Sequence, residues 1–274
     1  MKVSGWLVAL LVIGLIVAGL ALAVQGTKEP VERGRSLSDW AEQFGVAYGF
    51  GVRPRQLARE EEARLAIRKI GTNGLPTLLS MVRTRDSAIN RALVRHLPEF
   101  MAERANLHSA ERYEEVAICG FLALGGVAKP AIPALIPLLA DRDPGVRQRA
   151  AHALGAIGPD ADEAVPYLVA SMNDPQRSDM ILTSMEVLTR IRRKPELVVP
   201  AMLKFLDPSC TNWNYMSAAI RSVPAFGRDA EAAIPALTRL SQHTNAWVRA
   251  SALGGLKYID NERETTNHTT RDNR

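Results

Sequence analysis

A proline recurs in one local sequence context at nearly constant intervals, and this feature constrains the fold more than any other. Four copies, centred on Pro133, Pro166, Pro200 and Pro235, are separated by 33, 34 and 35 residues. A related copy around Pro76 lies 57 residues before Pro133, so the first unit carries an insertion. Self-similarity at a period of about 20 to 50 residues is typical of proteins built from stacked repeats.

Within each repeat, the residue pattern predicts two helices. In the clearest copy, residues 131–158, a first helix runs from near Pro133 to Leu139, and Asp143-Pro144 starts the second. Asp accepts hydrogen bonds from the free N–H groups of a helix start, and Pro suits the first helical position because no N–H is needed there. Asp174-Pro175 and Asp207-Pro208 are predicted to do the same.

The second helices share one apolar stripe at helical spacing, which predicts the face that each of them buries. Its members are Val146, Ala150, Ala153, Leu154 and Ile157 in the clearest copy; Val248, Ala252, Leu256 and Ile259; Met180, Ser184, Leu188 and Ile191; Tyr215, Ala219, Val223 and Phe226; Tyr113, Ala117, Phe121 and Leu124; and Ala63, Ile67 and Ile70.

Glycine marks the predicted ends of these helices. Gly125, Gly158 and Gly227 each stand eight residues before a repeat proline, as expected for a helix end in the left-handed backbone region. Arg192 occupies the same place in the remaining unit, so Pro195 is predicted to terminate that helix instead.

No unit of this kind can bury its apolar stripe alone, so the units must stack on one another. Aromatic residues make up only 5% of the chain, which is low for a β-sandwich or barrel. The sequence therefore predicts an all-α fold, a right-handed α-solenoid of about five helical pairs over residues 36–260. The predicted units lie near residues 57–83, 111–125, 131–158, 164–192, 198–227 and 233–260, with an insertion at residues 89–110.

The chain resembles HEAT repeats of the short bacterial kind over residues 57–260, about three-quarters of its length. The resemblance rests on the proline-centred openings, on Asp-Pro between helices, on Val146-Arg147 and Val248-Arg249, and on the closing Ile157-Gly158 and Phe226-Gly227. Tetratricopeptide and ankyrin repeats have similar periods, but their signature patterns do not occur in this chain. The segments around Trp40 and Gly71 also resemble the opening of exported bacterial HEAT-repeat proteins, where Trp40 would anchor a capping helix.

The amino-terminal segment predicts a membrane helix or a signal peptide. Residues 6–24 contain 19 positions without a charge, and about 20 apolar residues span a bilayer as a helix. The run is at the long limit for a signal peptide, which favours an uncleaved single-pass anchor over residues 1–24. We expect the body on the outer side of the cytoplasmic membrane; the alternative is secretion after cleavage near Ala21-Leu22-Ala23.

The remaining segments are predicted to lie outside the repeats. Residues 25–35 are interpreted as a polar linker and residues 261–274, which contain no apolar side chain, as a disordered tail. The insertion at 89–110 is either a long loop or an extra helix. Cys119 and Cys210 fall almost three repeats apart, which is too far for a disulfide.

No motif for catalysis, cofactor binding or metal binding is found in the sequence. None of the five histidines is paired at the spacing of helix-borne metal ligands. The His-Glu pairs of HEAT-like diiron hydroxylases do not occur, and a resemblance to HEAT-like bilin lyases or alkylpurine glycosylases transfers no activity by itself. The formal charge is +5, but residues 111–260 carry 16 basic and 16 acidic side chains, so no nucleic-acid partner is expected.

The second helices also present a row of side chains opposite the apolar stripe. Solenoids expose such rows along an extended binding surface, and the mixture of charge and polarity in this row is typical of a protein or peptide ligand. The sequence therefore predicts a non-catalytic interaction scaffold; the alternative is a HEAT-like enzyme or ligand-binding protein, similar to a bilin lyase or acting on nucleic acid. The candidate binding residues are Glu115, Gln148, His152, Glu186 and Arg221, and the same row continues through Ala250 and Gly254.

Overall fold

The computed structural model describes residues 29–45, 54–85, 110–207 and 209–272. The described chain is helical apart from one short hairpin, which confirms the helical fold class. It divides into two compact units, one ending at Ala123 and the other beginning at Leu124. The predicted anchor at residues 1–24 lies outside the described residues, as does the predicted insertion at 89–110 except for its last residue.

The described part of the first unit begins with a two-stranded antiparallel hairpin. Strand β1 (Val31–Glu32) pairs with β2 (Arg35–Ser36). The turn residues Arg33 and Gly34 have φ angles of 51° and 75°, and positive φ at both central residues is the requirement of a type I′ turn. This part of residues 25–35 is therefore not the linker that the sequence analysis predicts.

In the part of the first unit that the structure describes, the α-helices are α1 (Leu37–Gly45), α2 (Pro54–Ile70), α3 (Leu75–Arg83) and α4 (Ala110–Leu124), whose last residue is the first of the second unit. A 3₁₀ helix at Gly71–Gly74 lies between α2 and α3. Trp40 of α1 is 2% exposed. Its indole Nε1 donates a hydrogen bond to the Glu32 carbonyl over 3.0 Å, and the Arg35 guanidinium lies 4.6 Å from the ring centre. These contacts tie the hairpin to the first helix.

The second unit contains the predicted helical pairs. Its α-helices are α5 (Ile132–Leu135), α6 (Pro144–Ile157), α7 (Val165–Asn173), α8 (Ser178–Ile191), α9 (Pro195–Leu203), α10 (Trp213–Ser222), α11 (Ile234–Leu240) and α12 (Ala246–Asp272). Short 3₁₀ helices cover Gly125–Ala131, Ile136–Ala140, Gly158–Ala164, Pro175–Arg177, Lys204–Leu206 and Val223–Ala233. Pro137 explains why α5 continues as a 3₁₀ helix, because proline removes an α-helical hydrogen bond and clashes with the carbonyl four residues earlier.

The second helices of successive pairs pack against one another in chain order, α6 on α8, α8 on α10 and α10 on α12. The predicted apolar stripe faces this packing. Ala150, Leu154, Ala219 and Ala252 are all fully buried, which confirms the predicted helical phase at these positions. Three other predicted members of the stripe, Tyr113, Tyr215 and Leu256, are only partly buried. The equivalent Ser184 is also fully buried, and its hydroxyl has no hydrogen-bond partner among the described residues.

The predicted Asp cap holds fully at Asp143, only in part at Asp174, and fails at a third position. Asp143 accepts from the Gly145 and Val146 N–H groups. Asp174 accepts from the Gln176 N–H, but it caps the 3₁₀ helix Pro175–Arg177, and α8 begins only at Ser178. Asp207 instead accepts from the backbone and hydroxyl of Ser209. Helix α10 begins only at Trp213, because Asn212 caps it by accepting from the Asn214 and Tyr215 N–H groups. Asn245 caps α12 in the same way.

The predicted glycine ends are confirmed, and the predicted role of Pro195 is wrong. Gly125, Gly158 and Gly227 have φ angles of 53°, 81° and 55°. Arg192 takes the same left-handed conformation, with φ 49° and ψ 40°, and itself ends α8. Pro195 is the first residue of α9.

The last helix extends beyond the predicted repeats. Helix α12 continues through Asn261 to Asp272, whereas the sequence analysis predicts a disordered tail from residue 261. Once a helix is established, each further residue adds a hydrogen bond without a new nucleation cost. A polar segment can therefore continue a helix that buried residues have started.

One stretch of the described chain, Arg112–Ala140, is long and apolar enough for a membrane span by length and composition alone. The fold gives it another role. Gly125, at φ 53°, interrupts it, and Phe121, Ile132 and Leu135 are buried in the protein. These residues form repeat helices.

Candidate binding surface

The predicted row of the second unit lies on the second helices of successive pairs. Gln148 and His152 are on α6, Glu186 on α8 and Arg221 on α10. Glu186 and Arg221 are exposed, and Gln148 and His152 are partly exposed. Because these helices pack in chain order, the row follows the stacking of the repeats.

Gln148 and Glu186 of the row contact other groups of the protein. The Gln148 amide Nε2 donates to the Asp179 carbonyl over 3.3 Å, which links α6 to the start of α8. The Glu186 carboxylate forms an ion pair with Arg190, one turn later, at 2.8 Å. Glu186 therefore adds little net charge to the row.

Arg221 lines a groove with a volume of about 360 Å³. The groove lies between the end of α8, helix α10 and helix α12. We call it the Arg221 groove, and its lining residues are Arg192, Ile220, Arg221, Pro224, Ala225, Ser251, Gly254, Gly255 and Tyr258. Among the described residues, two arginines and no acidic residue line it, so this lining is positively charged. Arg221 makes no hydrogen bond or ion pair with any side chain that the structure describes.

Arg192 reaches the Arg221 groove from a strained backbone position. The left-handed conformation costs a non-glycine residue roughly 1–2 kcal/mol, and glycine occupies the matching positions 125, 158 and 227. The Arg192 side chain uses Nε to donate to the Thr189 carbonyl over 3.2 Å. This places a second guanidinium at the groove, where glycine would provide none.

Two adjacent glycines of α12, Gly254 and Gly255, have different surroundings. A Cβ atom at Gly255 would lie 2.9 Å from Pro224 Cγ, so this glycine permits close packing of α12. A Cβ atom at Gly254 would meet nothing within 4 Å. Glycine in a helix interior costs about 1 kcal/mol relative to alanine. Packing accounts for Gly255, whereas Gly254 leaves space in the groove.

Sequence reasoning found part of this site. Arg221 and Gly254 belong to the predicted row, and the structure brings them together in one groove. Arg192, Ser251 and Tyr258 were not predicted as site residues. The available signal was the replacement of a repeat glycine by Arg192, which the sequence analysis interprets only as a change of helix terminator.

An exposed aromatic pair was also missed. Trp213 and Trp247, near the starts of α10 and α12, are each 42% exposed. Their ring centres are 5.4 Å apart and their planes are inclined at 65°. Edge-to-face contact at this distance stabilises aromatic pairs, so each ring partly covers the other.

Glu115, the predicted site residue of the first unit, lies exposed on α4, one turn before Cys119. Burial of the Cys119 thiol, helped by the negative charge of Glu115, raises its pKa to about 11. Cys119 and Cys210 are both free thiols. A thiol with this pKa is a weak nucleophile at neutral pH, because the thiolate is the reactive form.

We expect alkylation of Cys119 to be slow and to rise tenfold per pH unit between pH 8 and pH 10. About 0.1% of the thiol would be ionised at pH 8, against roughly a quarter for an ordinary cysteine of pKa near 8.5. The measurement is the iodoacetamide reaction rate of the Cys210→Ser chain. Glu115→Gln, which removes a negative charge and so lowers the pKa, should speed the reaction. A rate that levels off near pH 9 would contradict this account.

Within the part of the chain that the structure describes, no three His, Cys, Asp or Glu side chains cluster as metal ligands would. His152 lies on the predicted row. His96 and His108 lie outside the described residues.

Comparison with known proteins agrees with the repeat pattern. A family model described as HEAT repeats matches residues 106–189. The match supports a HEAT-repeat protein. Repeats of this kind generally mediate protein–protein interaction.

A crystal structure of an engineered protein is similar over 90% of this chain and 97% of its own, with 18% identity and a TM-score of 0.46. A search of curated proteins gave no match.

Proposed function

We propose that this HEAT-repeat chain is a non-catalytic scaffold that binds a protein or peptide partner, presented outside the cytoplasmic membrane by an amino-terminal anchor. The observation that carries the binding part is the row on α6, α8 and α10, which ends in the positively charged Arg221 groove. Stacked repeats expose extended surfaces of this kind. The anchor and the orientation rest on the uncharged run at residues 6–24.

The binding part is tested by capture from solubilised membranes, with mass spectrometry of the recovered proteins. We expect Arg221→Glu to reduce recovery of the partner, because a misplaced charge against a complementary surface can cost several kcal/mol. Glu186→Lys should have a smaller effect, since Glu186 is already paired with Arg190. Circular dichroism checks that both variants fold. Equal recovery of the partner by the wild type and both variants would exclude this row as the binding surface.

The membrane part is tested by fractionation and intact-mass measurement. We expect the full chain, with its first 24 residues, in the membrane fraction, and its body accessible to protease from outside the cell. A soluble mature chain beginning near Val24 would support secretion after cleavage instead. Stoichiometric metal or a bound chromophore in the purified full chain would favour the HEAT-like enzyme over the scaffold.

A further inference from the structure

We propose that the Arg221 groove binds a carboxylate-bearing peptide segment. This inference rests on the proposed scaffold function and names the ligand chemistry for one part of its surface.

The charge of the groove points to an anionic group. Arg192 and Arg221 both line it, and no acidic residue of the described chain does. The neighbouring Arg190 is paired with Glu186, whereas Arg221 has no partner within the described chain. Guanidinium groups bind carboxylates through two parallel hydrogen bonds, and the hydroxyl groups of Ser251 and Tyr258 add further hydrogen-bonding capacity.

The size and walls of the groove favour a short peptide segment. Buried Ile220 and Pro224, with Ala225, supply an apolar floor, and Tyr258 is 41% exposed. A volume of about 360 Å³ is near the lower end of small-ligand sites, about 300–1,000 Å³. It accommodates one or two side chains. A nucleic-acid duplex would require a broader basic face than two arginines.

Two residues of the groove are unfavourable for stability at their positions. Arg192 stands in a left-handed conformation where three other repeats have glycine. Gly254 stands in a helix interior with open space at its Cβ position. Strained or costly residues concentrate at functional sites. Here one contributes a cation to the groove and the other keeps the groove open.

The test is calorimetric titration of the full chain, in detergent, with acetylated ten-residue peptides. The first peptide has an apolar centre, two Glu residues and an amidated carboxyl terminus, and the second replaces each Glu by Gln. A third peptide is neutral but has a free terminal carboxylate, which separates side-chain from terminal carboxylate recognition. We expect the Glu peptide or the free-terminus peptide to bind at least tenfold more tightly than the Gln peptide.

Variants locate the binding. Arg221→Gln and Gly254→Leu should each weaken the preferred peptide at least tenfold. Arg192→Gly should also weaken it while leaving the thermal midpoint unchanged or higher, because glycine relieves the left-handed strain. Arg190→Gln removes an equal charge from an arginine outside the groove lining and should leave binding unchanged. Thermal denaturation of Gly254→Leu confirms that this variant folds.

Equal binding of the charged and Gln peptides would overturn the proposal, and so would full binding to Gly254→Leu. If no carboxylate peptide binds while the full chain still captures a protein partner, the groove proposal fails and the scaffold proposal stands. If a carboxylate peptide binds through Arg221 and no partner is captured, the scaffold proposal fails instead.

Discussion

Replacing Leu154 by alanine is expected to lower the free energy of unfolding by about 2–5 kcal/mol, the range for removing a buried leucine side chain from a packed core. Leu154 is fully buried on α6, the helix that packs against α8. The loss should appear as a lower urea midpoint for the full chain. In a stacked repeat protein each repeat contacts only its neighbours. A cavity at Leu154 therefore weakens the packing within its own helical pair and the packing of that pair on the next one.

The matched control on the same helix is Gln148→Ala. Gln148 is partly exposed, and its interaction across the repeats is one hydrogen bond of 3.3 Å to the Asp179 carbonyl. A hydrogen bond of this kind contributes about 1 kcal/mol to the free energy of unfolding. Gln148→Ala should therefore lower the urea midpoint less than Leu154→Ala does. Similar midpoints for the two variants would mean that the buried and exposed faces of α6 are misassigned.

Replacing Arg147 by alanine is expected to lower the free energy of unfolding by about 2–4 kcal/mol, because the arginine joins two repeats. Its Nε and Nη2 atoms lie 3.1 Å and 2.7 Å from Asp179 Oδ2 at the start of α8. Nη1 donates to the carbonyls of Asp141 and Arg142. The Arg147 and Asp179 side chains are 12% and 25% exposed. Removing one partner of a buried pair costs about 3–5 kcal/mol, and the partial exposure of Asp179 reduces this.

Arg249→Ala is the control, because Arg249 repeats half of this arrangement. Its Nη1 donates to the carbonyls of His243 and Thr244, the same backward steps of six and five residues. Within the described residues it has no acidic partner. We expect Arg249→Ala to lower the free energy of unfolding by about 1–2 kcal/mol. Urea denaturation of both variants measures the difference, and equal losses would mean that the Asp179 pair contributes nothing.

The repeats were predictable because their signals are local and recur. The stripe through Ala150 and Leu154 follows helical spacing, and burial at these positions needs only the packing of one helix on the next. Glycine at positions 125, 158 and 227 has a local cause as well, since a helix end at positive φ favours a residue without Cβ. Asp143 caps its helix through its own neighbouring N–H groups, which sequence order alone brings within reach.

The sequence predictions were wrong where a neighbouring side chain competes for the same hydrogen bond, or where contacts with residues distant in sequence stabilise a structure. Asp207 was predicted to cap a helix, but its carboxylate accepts hydrogen bonds from Ser209. Asn212 caps α10 instead. The hairpin at residues 31–36 lies in a polar segment, and it is held by contacts with Trp40 and Lys69 that sequence order does not reveal.

The sequence by itself determined the repeat period, most of the buried face of the second helices and the helix ends marked by glycine, because these depend on spacing along one chain segment. Tertiary structure alone decided that Arg192, Arg221 and Tyr258 line one groove. These residues come from the end of one helix and from two later helices, and only stacking brings them together. The same stacking placed Asp179 against Arg147, and it set Gly255 of α12 against Pro224 while leaving Gly254 beside open space.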